Sequence, residues 1–124
     1  MSLRAMFSNM EVFKIYSAMA RHAAQSQQVS ATNISRADDP GFKATEVESF
    51  QDYLNRTAMT PTDGALPTSF RVTESNMPAA PNGNSVSIEH ELYKSAEAMG
   101  EHEMALTVYS KSLDLLRSAI GRKR

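Results

Sequence analysis

Cysteine and tryptophan are both missing from this chain of 124 residues. Without cysteine there are no disulfides and no thiolate metal sites. An excess of either charge is missing as well. Thirteen basic and fourteen acidic residues leave a formal net charge of −1, so no nucleic-acid partner is expected. The Arg122-Lys123-Arg124 ending reads as a solvated basic tail. No apolar run approaches the ~20 residues that cross a bilayer, and no direct membrane insertion is expected. Glu11 and Lys14 stand where the apolar core of a cleaved secretory signal would lie, so no such signal is read here.

Signals for chemistry are equally scarce. There is no H-E-x-x-H, no G-x-S-x-G and no phosphate-binding glycine loop. His90 and His102 each sit in a Glu-His-Glu triplet, at 89–91 and 101–103. Twelve residues of helix place them about 120° and ~18 Å apart, so they cannot share one metal ion within the chain. The triplets read as a solvated, mixed-charge helix face. The expectation is therefore a non-catalytic protein with no catalytic, cofactor-binding or metal-binding residues and no cofactor.

What the chain does have is periodicity. Stepping alternately by four and three picks out Ile88, Leu92, Ser95, Met99, His102, Leu106, Tyr109, Leu113, Leu116 and Ile120. Eight of these ten are apolar or aromatic, and the mean spacing of 3.5 residues keeps one stripe facing a partner helix. Ser87 suits an N-cap, Glu89 and Glu91 favour a first turn, and Gly121 suits a stop. The N-terminal segment repeats the alternation through Met10, Phe13, Ser17, Ala20, Ala24, Gln27, Ala31 and Ile34. Its second half is rich in alanine, which permits close helix contact. Eight methionines suit adaptable interfaces and equally an ordinary core.

The segments follow from these patterns: an N-terminal helix over 1–35, a turn with a short extended and helical piece over 36–55, a polar loop over 56–85, a C-terminal helix over 86–121, and the tail 122–124. The loop holds four of the five prolines, with a brief strand expected around Ser69 to Thr73. The fold class is mainly α: two long terminal amphipathic helices pair in a coiled-coil-like manner around an irregular middle. Their remaining apolar faces call for neighbours, so a helical homo-oligomeric assembly is expected.

Residues 37–44, ADDPGFKA, mark where the first helix ends. Pro disfavours helix at the residue before it, and Pro-Gly at the two central positions suits a type II turn. Asp38 or Asp39 can bond backbone NH groups of the turn, Phe42 is expected to pack back on the helix pair, and Lys43 to reach an acid on a neighbour. With the preceding residues, SATNISRADDPGFKA resembles the signature of bacterial flagellar axial proteins (rod and hook), Asn-Ile/Leu-Ala-Asn-Ala-x-Thr-Pro-Gly-Tyr-Lys after an N-terminal helix. Asn33, Ile34, Ala37, Asp38, Pro40, Gly41, Lys43 and Ala44 match; Ser35, Arg36, Asp39 and Phe42 depart from it. The short length and the NGNSVSIEHELYKSAEAMG…SAIG ending are similar to the short proximal rod proteins of that family.

The resemblance implies a structural subunit of the basal-body rod, exported by the flagellar type III apparatus without a cleaved signal and residing in the periplasmic rod. It implies as neighbours further copies, FlgC and other rod subunits, the rod adaptor FliE, the membrane-ring protein and, during secretion, the export apparatus. Asn33, Ile34, Asp38, Pro40, Gly41, Phe42 and Lys43 would then form an inter-subunit elbow. Met10, Phe13, Ile88, Leu92, Met99, Leu106, Tyr109, Leu113, Leu116 and Ile120 would form the helix-packing seam. The alternative reading is a flagellar or type III export chaperone or adaptor that holds partner helices.

Overall fold

A computed structural model of the protein describes residues 3–58 and 66–121. Part of the expected polar loop, 59–65, and the basic tail, 122–124, lie outside the described residues. Helix α1 spans Leu3–Ser35 and helix α3 spans Ile88–Gly121, close to the expected bounds. Between them come strand β1 (Thr45–Val47), helix α2 (Phe50–Ala58) and strand β2 (Val72–Glu74). Ser87 caps α3 as its position predicts: its Oγ accepts from the His90 NH at 3.3 Å, satisfying a donor that the helix leaves unpaired.

The two long helices pack against each other and run antiparallel. His22 meets Glu101, and Phe13 meets Tyr109 edge-to-face at 5.1 Å between ring centroids. The buried line of α3 is Glu91, Ala98, Ala105 and Ser112, a strict seven-residue repeat of the kind that keeps one stripe on a neighbouring helix. Ala18 and Ala23 are fully buried on α1. Small side chains on both helices let the axes approach closely.

The middle is more ordered than a polar loop. β1 and β2 pair antiparallel with Thr45 opposite Glu74, Glu46 opposite Thr73 and Val47 opposite Val72. The ladder extends one bond at each end, from Glu48 NH to Arg71 O and from Ser75 NH to Ala44 O, both 2.8 Å. The strand expected at Ser69 to Thr73 starts three residues later, at Val72, and ends one residue later, at Glu74. Phe70, just before it, turns inward to the core cluster of Ala18, Val47 and Tyr53, with Val29, Phe50, Leu54 and Leu66 packed around it. Helix α2 likewise runs three residues past the expected boundary at 55, with its own Thr57 buried alongside Tyr53. The core therefore sits where the middle segment folds onto α1.

The triplet reading is corrected on two acids. Glu91 is buried within the helix pair and Glu101 binds His22, so neither stands on a solvated face. Seven-residue spacing from Glu91 carries it onto the inner line of α3, which composition around the triplet does not reveal.

Candidate assembly face and elbow

The end of α1 is held by side-chain amides. Asn33 is fully buried; its Nδ2 donates to Thr45 O at 2.9 Å and its Oδ1 accepts from Thr45 NH at 3.2 Å. One side chain thus pairs both backbone groups of the first strand residue and fixes where the chain leaves the helix. The helix then closes through Ala37 NH to Ile34 O. Phe42 NH donates to Asp39 O at 3.2 Å, and Gly41 has φ +78°. These are the marks of the expected type II turn, with Pro40 and Gly41 at its centre.

That turn does not stand alone. Gly41 NH donates to Asn82 O at 2.9 Å, and Ser85 NH donates to Phe42 O at 3.0 Å. Buried Asn84 donates through Nδ2 to Arg36 O and Asp39 O, at 2.9 and 2.7 Å, while its Oδ1 accepts from Val86 NH. Ser85 Oγ accepts from Ala44 NH at 2.8 Å. The two turns approach so closely that a Cβ on Gly83 would lie 3.2 Å from Gly41 Cα, and Gly83 itself has φ +86°. The stretch 80–86 is thus the second half of a clasp, and the elbow is closed within one chain.

Each predicted elbow residue has a definite place in it. Asn33 is a buried tie, Ile34 is half-buried, and Asp38, Pro40 and Gly41 face solvent. Phe42 is half-buried with the Arg36 guanidinium 5.5 Å from its ring centroid, a cation–π contact. Lys43 differs from expectation: its Nζ donates to Gly83 O at 2.7 Å. It serves the clasp inside the chain, tying the turn after α1 to the 80–86 turn.

A second joint lies midway along the helix pair. His22 Nδ1 lies 2.8 Å from Glu101 Oε1, and Nε2 lies 2.6 Å from Glu48 O. Both ring nitrogens therefore face acceptors, an arrangement that only the imidazolium satisfies fully. Burial pulls the His22 pKa down, but the hydrogen bonds to Glu101 and Glu48 and the charge of both acids outweigh it, and the net shift is upward. The Glu48 carboxylate accepts from Arg56 Nη2 and from Arg71 NH, both at 2.6 Å. The Arg56 bond, opposed by partial burial, draws its pKa below the usual carboxylate range. One histidine thus links α1, α3 and the middle segment.

The packing seam is placed differently from a simple helix-to-helix zip. Leu92, Met99 and Leu106 are 58%, 53% and 47% exposed, whereas Ala98 and Ala105 beside them are 2% and 0%. The apolar row lies one residue, or about 100°, round α3 from the buried line. Ile88, Tyr109 and Ile120 are exposed with it, and Leu113 and Leu116 are half-buried. On α1, Met10 is exposed and Phe13 half-buried. Of the seam residues, Phe13 and Tyr109 meet within the chain. Tyr16, Ser17 and Ala20 of α1 and Ala105, Leu106 and Tyr109 of α3 line a groove of about 180 Å³. The row is thus an outward face bordering a groove between the helices.

No family model and no curated protein matches this chain.

Sequence reasoning missed Asn84, Ser85, His22, Glu48 and Glu101. For Asn84 and Ser85 there is a local signal in Asn82-Gly83-Asn84, since an Asn after an Asn-Gly turn is well suited to bond backbone groups. For the His22 joint there was none, since its partners lie 26 and 79 residues away.

Proposed function

We propose that this chain is a structural, non-catalytic subunit of the proximal rod of the bacterial flagellar basal body, of the FlgB type. The observation that carries the reading is the division of α3 into two faces. Small and polar residues close the pair within the chain, while the large apolar row stands outward on 3.5-residue spacing. A helix pair of this kind is completed by neighbouring helices, as in a tube built from repeated subunits. The Asn33-to-Lys43 elbow supports it, because it fixes the exit of the chain from α1 and leaves both long helices uninterrupted for stacking. In such a rod the neighbours are further copies, FlgC and the other rod subunits, FliE and the membrane ring, and the assembly forms part of the shaft from that ring to the distal rod and hook.

The test is co-purification with intact basal bodies, together with removal of residues 113–124. The truncated chain should stay soluble yet fail to enter basal bodies or support motility. Incorporation of the truncated chain with normal motility would refute the role given to α3. The groove beside Leu106 and Tyr109 favours a second reading, an export chaperone or adaptor holding a partner helix there. Under that reading the purified protein binds a helix of an exported protein one-to-one and is absent from washed basal bodies.

A further inference from the structure

The outward row of α3 has a symmetry that the rod reading does not use. We propose that in solution α3 pairs antiparallel with α3 of a second copy, giving a two-fold dimer that covers the row. In an antiparallel helix pair, each residue reached by a step of three faces one reached by a step of four, so the row can be laid against its own reverse. Ile88 then meets Ile120 of the second copy, Leu92 meets Leu116, and Met99 meets Tyr109. The two polar members fall opposite apolar ones, Ser95 against Leu113 and His102 against Leu106. No position of the row is left over along its length of roughly 50 Å at 1.5 Å per residue.

Charge selects this orientation. Glu89 and Arg117 each follow a member of the row by one residue and are exposed, which puts them on its solvent edge. Antiparallel pairing brings Glu89 of each copy beside Arg117 of the other, once at each end. The one like-charge meeting is Glu103 with its counterpart at the two-fold axis. A parallel, in-register pair would instead stack His102 on His102 and Ser95 on Ser95. It would also aim Glu89, Glu103 and Arg117 at the line of Glu91, Ala98, Ala105 and Ser112, which is already buried, so no ion pair would form. Oppositely charged residues on the edges of a seam set partner and orientation in this way.

The dimer lies outside the rod reading, because subunits of a shaft all point one way. The two-fold pair occupies the same face and must separate before incorporation. It is a resting form in which the sticky row is covered.

Sedimentation equilibrium of the full chain at micromolar concentration should give a dimer. Glu89→Arg or Arg117→Glu alone should weaken it about tenfold, since each change turns two attractions into two repulsions. Both together should restore it, and Glu103→Gln should tighten it several-fold. The absence of native cysteine makes single-cysteine reporters clean. A mixture of Leu92→Cys and Leu116→Cys chains should form an inter-chain disulfide that neither forms alone. A monomer at all concentrations, no rescue by the double reversal, or self-crosslinking of Leu92→Cys would each overturn the proposal. The rod reading is scored separately: a monomer that enters basal bodies sinks only the dimer, and a dimer whose chain never enters them sinks only the rod.

Discussion

The two ends of the helix pair are built on opposite principles. At the elbow end, buried amides tie backbone to backbone, the middle segment covers α1, and the turns 36–44 and 80–86 interlock. At the other end, Met10 of α1 and Leu115 and Ile120 of α3 are exposed, beyond the Phe13–Tyr109 ring pair. The elbow end is tied within the chain, although the outward row already begins there at Ile88 and Leu92, and the far end carries no such tie among the contacts described. The difference teaches that stability and association are separable here: the first is written around Asn33 and Tyr53, the second along Leu92 to Ile120.

Substitutions can break that separation or sharpen it. The largest effect is expected at Tyr53, fully buried in the core cluster. Tyr53→Ala should lower unfolding free energy by about 3–5 kcal/mol in urea titrations, from lost burial and the cavity left. Asn33→Ala should cost about 2–3 kcal/mol, because both backbone groups of Thr45 lose their partner in a buried setting. Gly83→Ala should cost about 1–2 kcal/mol for its left-handed backbone, and more to the extent that Gly41 must move from the new Cβ. On the outward row the same titration should barely move: Met99→Ser is expected to stay within about 0.5 kcal/mol while weakening self-association. A Met99→Ser chain that unfolds as easily as Asn33→Ala would show that the outward row and the elbow are not independent.

The pH dependence sharpens the comparison further. The His22 pKa is raised on folding, so folded protein holds that proton more tightly than unfolded chain. The stabilisation it gives is fully present below the ordinary histidine value of about 6.5 and is lost as pH rises through the folded value. The Glu48 pKa is lowered, so its contribution is present above the ordinary glutamate value of about 4.3 and fades as pH falls through the folded one. Stability measured by urea should therefore decline on the alkaline side of its maximum, and His22→Gln should flatten that decline. An unchanged alkaline limb in His22→Gln would rule out the imidazolium as the joint.

Legibility in the sequence followed locality. Both long helices, the N-cap at Ser87 and the type II turn at Pro40-Gly41 depend on residues within a few positions of one another, and each was readable. The seam was readable as a stripe, but not which way it faces. The choice between the lines through Ala98 and Met99 is made by α1, whose own alanines accept a small-residue partner and leave the bulky row outside. Strand β2 was displaced from the expected position because Phe70 is recruited to the core, a contact set by α2 and α1. The clasp was half-readable: Asn33 ties Thr45 only twelve residues on, whereas Asn84 acts on carbonyls 45 and 48 residues away. The His22 joint was silent for the same reason, since no local pattern separates a histidine that bridges three elements from one on a helix surface.

The clasp between the two turns also closes a circuit. Everything between Asp39 and Asn84 is an excursion whose two ends are tied directly to each other by the Asn84 side chain. The entropy of closing such an excursion grows only with the logarithm of its length, and doubling it costs about 0.6 kcal/mol. The exposed residues Asn76, Pro78 and Ala79, just before the clasp, are therefore natural points at which to splice in a foreign domain. The helix pair should hardly register the added chain, which makes this small protein a frame whose span is fixed and whose cargo is free to change.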